Sequence, residues 1–323
     1  MAEFAHKFAD TNGIRMHYVE AGAGPLVLMC HGWPESWYSW RHQIRALADA
    51  GFRAVAPDQR GYGQTDAPQA VESYNIFNLT GDIVGLLNSL DVSSAVVVGH
   101  DWGAPVAWNC ALLRPDLFRA SGLLSVPYVA NPKARGMRPS EMWKLIEGTN
   151  LRFYQNYFQG SDAERDFEAD VRRSMKAVLY GASGDAPPGG RFEHLFPRSQ
   201  RLLDNIKVPD KLPAWLTEAD LDFFTAEFTR TGFRGGFNWY RNFDRNWELS
   251  GFLAGAKLMQ PSLFAAGEHD VVLRMIPNNA LAQVDATMPN CRSKTIIPGA
   301  GHWIQQERPQ EINELLLKFL TGL

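Results

Sequence analysis

The stretch Val96-Val97-Val98-Gly99-His100-Asp101-Trp102-Gly103-Ala104 decides the fold of this chain. A run of β-branched residues that ends at glycine is typical of a strand covered on both faces, as in a parallel sheet. The Gly-x-Asp-x-Gly that follows has the pattern of a nucleophile elbow, a tight strand-to-helix turn that projects one side chain into a site. Glycines flank such a turn because a Cβ atom there would crowd it. Taken alone, the pattern fits equally well a strand that ends in a helix-capping aspartate.

Composition and charge exclude several classes of protein. The 323 residues are enough for one large domain or for a core with an inserted module. A net charge of −3 gives no reason to expect nucleic acid or an anionic membrane as partner, and no apolar run approaches the roughly 18 residues of a membrane span. Residues 1–10 lack a signal-peptide pattern, and the three cysteines fit neither a disulfide framework nor a metal site. These features predict a cytoplasmic protein with reduced thiols.

Apolar runs alternate with amphipathic helical patterns in the first part of the chain. A hairpin signal at Asn12-Gly13 comes first. The predicted strands after it are Pro25–Cys30, Phe52–Ala56, Val96–Val98 and Gly122–Val126. This order predicts a mostly parallel sheet with helices on both faces. Ligands bind outside the carboxyl ends of the strands in such sheets, and His31, Asp58 and Asp101 each follow such an end.

From about Tyr128 to Leu249 the alternation stops and aromatic-rich helical patterns replace it. The predicted helices are Met142–Phe158, Ala163–Tyr180, Glu218–Thr229 and Asn238–Trp247, with a capping box at Thr217 and Asp220. Strands resume at Pro261–Ala266 and Arg292–Ile297. We therefore expect an α/β fold, with residues 1–128 and 255–323 as core and residues 129–254 as an all-helical cap over the site.

Two further polar residues follow the late strands. Asp270 comes after one strand and His302 after the last, the latter between glycine and tryptophan. Nucleophile, acid and base in the chain order Asp101, Asp270, His302 match the order in α/β-hydrolases. Glu268 is an alternative acid, because spacing alone does not separate it from Asp270.

The segment His31-Gly32-Trp33-Pro34 also joins a predicted strand to a helix. The backbone N–H groups of Trp33 and Trp102 would point at one spot and form an oxyanion hole. The alternative is an ordinary Gly-Pro loop. The Trp33–Pro34 bond is a candidate for a cis peptide, which occurs in tight turns.

Together these motifs resemble the soluble epoxide hydrolases of the α/β-hydrolase superfamily. The resemblance covers essentially the whole chain and includes Gly232-Phe233-Arg234 and Asn238-Trp239-Tyr240-Arg241-Asn242 in the cap. It implies the α/β-hydrolase fold, and it implies that two cap tyrosines bind the epoxide oxygen. These are Tyr240 and Tyr154, with Tyr157 as the alternative to Tyr154 because it lies three residues on along a helix. The pocket residues expected from it are His31, Pro34, Trp239 and Trp303.

The resemblance implies hydrolysis of an apolar epoxide to a vicinal diol. Asp101 would form an alkyl ester, which water activated by His302 and Asp270 would cleave. No metal or cofactor is expected; the partner is a small epoxide, and a homodimer is left open. A haloalkane or haloacid dehalogenase would use the same three residues but needs no phenolic acid for its halide. A catalytically silent ligand-binding protein is the alternative from another class.

Overall fold

The computed structural model of this protein describes residues 4–130, 136–276 and 280–323. Its strands, in chain order, are β1 (Ala5–Thr11), β2 (Ile14–Ala21), β3 (Leu26–Cys30), β4 (Arg53–Pro57), β5 (Ala95–His100), β6 (Phe118–Leu124), β7 (Leu151–Phe153), β8 (Leu195–Pro197), β9 (Ser262–Gly267) and β10 (Cys291–Ile297).

Helices follow most strands. They are α1 (Arg41–Asp49), α2 (Ile76–Ser89), α3 (Gly103–Leu113), α4 (Pro139–Glu147), α5 (Tyr154–Tyr157), α6 (Ser161–Glu168), α7 (Val171–Gly181), α8 (Glu218–Thr231), α9 (Arg234–Arg241), α10 (Phe243–Leu249), α11 (Val271–Met275), α12 (Ala280–Thr287), α13 (Ile304–Glu307) and α14 (Pro309–Thr321). Short 3₁₀ turns occupy Trp37–Trp40, Val71–Tyr74, Leu202–Asn205 and Ser250–Leu253. In the residues that the structure describes, every helix is too short or too polar to span a bilayer.

One large sheet runs through the centre of the described chain. Its strand order is β1-β2-β4-β3-β5-β6-β9-β10, and neighbours from β4 to β10 run parallel. Within this eight-stranded sheet, the antiparallel pairs of the described residues are β1–β2 and β2–β4, at one edge. The predicted α/β-hydrolase fold class, mostly parallel with helices on both faces, is confirmed.

Strand β5 lies inside this sheet, between β3 and β6. This position explains the uninterrupted apolar run Val96–Val98. Val97 packs into an apolar cluster on one face, whereas Val96 and Val98 pack into the cluster on the other. Successive side chains of a strand point to opposite faces, so a strand covered on both sides needs apolar residues at every position. The loop after β5 is therefore held by a rigid, fully buried strand.

The stretch between β6 and β9 differs from the predicted all-helical insertion. The helix expected over Met142–Phe158 is wrong: α4 ends at Glu147, and Gly148 adopts φ +56°, a backbone conformation that stops a helix. The chain then forms β7, which pairs antiparallel with β8. The insertion thus contains a two-stranded sheet as well as helices.

Two of the other three predicted helices, Ala163–Tyr180 and Asn238–Trp247, are each divided. Asp170 separates α6 from α7, because its side chain accepts a hydrogen bond from the Arg173 amide and so begins a new helix. Asn242 separates α9 from α10. The capping box is confirmed, since the side chains of Thr217 and Asp220 each accept the other's backbone N–H at the start of α8. The division at residues 128 and 255 stays a prediction.

Candidate active site

Asp101 occupies a strained turn between β5 and α3. Its φ is +49°, a region that residues other than glycine rarely adopt, and it turns the side chain out of the strand. A Cβ atom at Gly99 would lie 2.0 Å from the Gly103 carbonyl oxygen, and one at Gly103 would lie 2.0 Å from the Cys30 carbonyl oxygen. Both glycines are therefore sterically required, as the elbow pattern predicts.

His302 lies between two carboxylates. Its Nδ1 is 2.9 Å from Asp270 Oδ1, and its Nε2 is 3.4 Å from Asp101 Oδ2. The alternative acid, Glu268, instead accepts a hydrogen bond from the Gly299 amide at 2.9 Å. Asp270 and Asp101 thus lie at the two ring nitrogens of His302, and these three residues form the candidate triad. Glu268 lies outside the triad.

Burial and neighbouring charges shift the pKa values of His302 and Asp270. Burial lowers the pKa of His302, but the charges and hydrogen bonds of Asp270 and Asp101 outweigh it and hold that pKa well above the usual value. Burial raises the pKa of Asp270, yet the neighbouring His302, helped by Ser125, holds it below the usual value. The pair of acidic neighbours therefore favours the protonated form of His302.

The loop after β3 supplies an amide donor to Asp101. The Trp33 N–H donates to Asp101 Oδ1 at 2.8 Å, and the Trp33–Pro34 bond is cis, as predicted. A Cβ at Gly32 would lie 2.3 Å from the Asp101 Cβ, so only glycine permits this approach. Glu35 accepts the Gly32 N–H at 3.1 Å and fixes the loop. The predicted role of the Trp102 backbone N–H as the second donor of the oxyanion hole stays a prediction.

Two buried tyrosines border the cavity in front of Asp101. Tyr154 begins α5 and Tyr240 lies on α9, and their ring centroids are 6.1 Å apart. Burial, and then the charge of Asp101, raises the pKa of both phenols, so both remain protonated donors. Tyr157 instead donates to Asp166 and packs edge-on against Phe196. The structure thus brings Tyr154, and not Tyr157, to Asp101.

Three of the four predicted pocket residues do not border the cavities beside Asp101. The His31 ring accepts a hydrogen bond from the Gln59 amide at 3.0 Å and braces the turn behind the site. Trp239 donates its indole N–H to the Arg60 carbonyl oxygen at 3.1 Å, and Pro34 also lies outside the cavity walls. Trp303 does border the smaller cavity, beside His302.

Asp58, at the end of β4, is likewise a structural residue and not part of the site. Its buried carboxylate lies 2.7 Å from the Nδ1 atom of His17 and accepts hydrogen bonds from the amides of Trp37 and Gln64. A strand end therefore indicates where a site forms, but it does not distinguish a reactive carboxylate from one that organises loops.

Sequence reasoning missed three buried groups that support His302. Ser125 directly follows β6, with φ +71°, and its Oγ lies 3.0 Å from His302 Nδ1. His100 Nε2 donates to the His302 carbonyl oxygen at 2.8 Å, while its Nδ1 lies 2.8 Å from Glu35 Oε2. The predicted strand Gly122–Val126 contains Ser125, whereas β6 ends at Leu124, so the position of Ser125 after a strand end was not recognised. No local signal identifies Glu35, whose role depends on contacts with distant segments.

Among the described residues, no group of three or more histidine, cysteine, aspartate or glutamate side chains is arranged to hold a metal ion. The side chains that converge on Asp101 are instead a histidine–carboxylate pair and two phenols. An ionised carboxylate attacks carbon without a base, and a phenol can protonate a departing alkoxide. The arrangement suits displacement of an oxygen leaving group, followed by base-assisted hydrolysis.

Comparisons with a family model, with related sequences and with a solved structure agree with one another. Residues 25–309 match the family described as alpha/beta hydrolase fold. The chain is 46% identical to epoxide hydrolase A of Mycobacterium tuberculosis, over 98% of this chain and 97% of that protein. It is 38% identical to epoxide hydrolase 2 of Siraitia grosvenorii, over 99% of both. The structure of an epoxide hydrolase from an endophytic Streptomyces matches with a TM-score of 0.94 and 45% identity, over 99% of this chain and 96% of that one.

Proposed function

The chain belongs to the epoxide hydrolases of the α/β-hydrolase family, and from this premise we propose that it converts apolar epoxides to vicinal diols through an ester on Asp101. The observation that carries the proposal is the placement of Tyr154 and Tyr240 in the same cavity as Asp101. We also propose that the enzyme is cytoplasmic and that its partner is a small epoxide. Whether it forms a homodimer stays open.

Ring opening uses the two oxygens of Asp101 differently. The Trp33 amide holds Oδ1, whereas Oδ2, on the side of His302, is the oxygen that attacks an epoxide carbon. The C–O bond of the ring breaks as the new ester bond forms. Tyr154 and Tyr240 donate hydrogen bonds to the developing alkoxide and protonate it. Their raised pKa values keep them protonated for this step.

Hydrolysis of the ester depends on the change of charge that ring opening causes. The ester on Asp101 is neutral, so one of the groups that raise the pKa of His302 is lost. The proton of His302 then replaces the one that the phenols gave to the alkoxide, and neutral His302 remains as a base. Water loses a proton to His302 and attacks the ester carbonyl, whose oxygen is the Oδ1 atom held by Trp33. Expulsion of the diol restores the carboxylate and the imidazolium.

This scheme predicts the pH dependence of the second half-reaction. His302 has to be neutral to take a proton from water, so the rate of ester hydrolysis should rise with pH through the pKa of His302 in the ester. That pKa should lie below the pKa of His302 in the resting enzyme, because the Asp101 charge is absent. Transient kinetics of diol release at several pH values would measure the profile. A rate that falls as pH rises would contradict the scheme.

The need for a phenolic proton donor distinguishes an epoxide hydrolase from a dehalogenase. We expect Tyr240→Phe to lower kcat/KM for styrene oxide by about 10²-fold or more, because the alkoxide loses a proton donor. Tyr157→Phe is the matched control and should leave this value unchanged, because Tyr157 bonds to Asp166 outside the cavity. Diol formation followed by chromatography gives both rates. Release of halide from haloalkanes by the native enzyme, without diol formation from epoxides, would contradict the proposed function.

A further inference from the structure

Asp101 borders two cavities of very unequal volume. The larger cavity measures about 370 Å³. The smaller cavity, which His302 also borders, measures about 20 Å³. Asp101, Tyr154 and Tyr240 border both cavities, so the reacting atoms lie at the boundary between them.

The larger cavity suits a bulky apolar group. Its walls include Trp102, Trp108, Leu112, Phe243, Trp247 and Met275. Its volume falls within the range of roughly 300–1,000 Å³ that is usual for small-molecule pockets. An aryl or alkyl substituent on one epoxide carbon can therefore be buried on this side against aromatic and aliphatic side chains.

The smaller cavity has room for about one water molecule, which needs roughly 10–15 Å³. Val178, Phe192 and Trp303 border it and are buried. The Trp303 indole N–H donates to the Leu179 carbonyl oxygen at 2.7 Å, and the Phe192 amide donates to the Gly181 carbonyl oxygen at 2.7 Å. These bonds hold the Trp303 indole and the Phe192 backbone in place, and widening the cavity on their side requires buried, close-packed side chains to move.

We propose that this enzyme is specific for epoxides whose bulk is carried on one ring carbon, a conclusion that rests on the proposed function. The ring is held between the Asp101 carboxylate and the two phenols, so substituents of its two carbons point into opposite cavities. A second bulky group would have to enter the small cavity. It would also displace the water that His302 must reach, since His302 borders that cavity. The substrate class is terminal or 1,1-disubstituted apolar epoxides.

Comparison of two aryl epoxides tests this specificity. Styrene oxide carries one phenyl group, and trans-stilbene oxide carries one on each ring carbon. We expect kcat/KM for styrene oxide to exceed that for trans-stilbene oxide by about 100-fold or more, since overpacking a close-packed wall is strongly unfavourable. Equal values would overturn this inference and leave the proposed function intact. Turnover of neither epoxide would overturn both.

A variant of the small cavity sharpens the test. Val178→Ala removes two methyl groups from its wall, and we expect it to raise the ratio of kcat/KM for trans-β-methylstyrene oxide over styrene oxide by about tenfold. Val284→Ala is the matched control, because Val284 is as deeply buried but borders neither cavity. The ratio is independent of the fraction of folded enzyme. An unchanged ratio in Val178→Ala, or an equal rise in Val284→Ala, would overturn the inference.

Discussion

Replacement of His302 by glutamine is expected to stop the enzyme after its first chemical step, with the epoxide bound to Asp101 as an ester. Ring opening needs the Asp101 carboxylate, the Trp33 amide and the two phenols, all of which remain. Hydrolysis needs a base beside the ester, and glutamine cannot accept a proton from water. Steady-state turnover should fall by at least about 10⁴-fold, as when the base of a triad is removed.

Mass spectrometry of the intact His302→Gln protein measures this result directly. After addition of styrene oxide, the mass should rise by that of one epoxide molecule. His42→Gln is the matched control, because His42 lies on α1 and borders neither cavity, and it should keep native turnover without a stable adduct. Loss of turnover in His302→Gln with an unchanged protein mass would contradict the assignment of His302 to the second step.

Asp101→Asn is expected to abolish diol formation, with a loss of at least about 10⁴-fold in kcat. A neutral amide is a poor nucleophile, whereas its shape preserves the turn between β5 and α3. Asp116→Asn is the control: Asp116 is an exposed partner of Arg114, and its replacement should leave turnover unchanged. Chromatographic measurement of diol from styrene oxide gives both rates. Turnover near the native rate in Asp101→Asn would exclude Asp101 as nucleophile.

The sheet and its elbow were predictable because their causes are local. Gly99 and Gly103 are forced by contacts within the turn itself, and the β5 run is apolar at each position because both faces are covered. Asp270 and His302 could be proposed for the same reason, since each follows a strand that the periodicity reveals. The insertion was less predictable, because Gly148 ends a helix inside a stretch whose apolar pattern continues.

Other parts of the site depend on contacts between distant segments. Tyr154 and Tyr157 are three residues apart, and only the packing of Tyr157 against Phe196 and its bond to Asp166 separate them. His31 follows a strand just as Asp101 does, but a bond from the Gln59 amide makes it a structural residue. The unequal cavities likewise depend on side chains from several helices that meet only in the folded chain.

The origin of the diol oxygen tests the covalent role of Asp101 most directly. A single turnover is run in ¹⁸O-labelled water with enzyme in excess over styrene oxide, and the diol is analysed by mass spectrometry. Asp101 Oδ2 stays attached to carbon when water cleaves the ester at its carbonyl, so the first diol should carry no ¹⁸O and the label should appear in Asp101. A first diol that carries ¹⁸O would show that water attacks the epoxide itself, which would contradict an ester on Asp101.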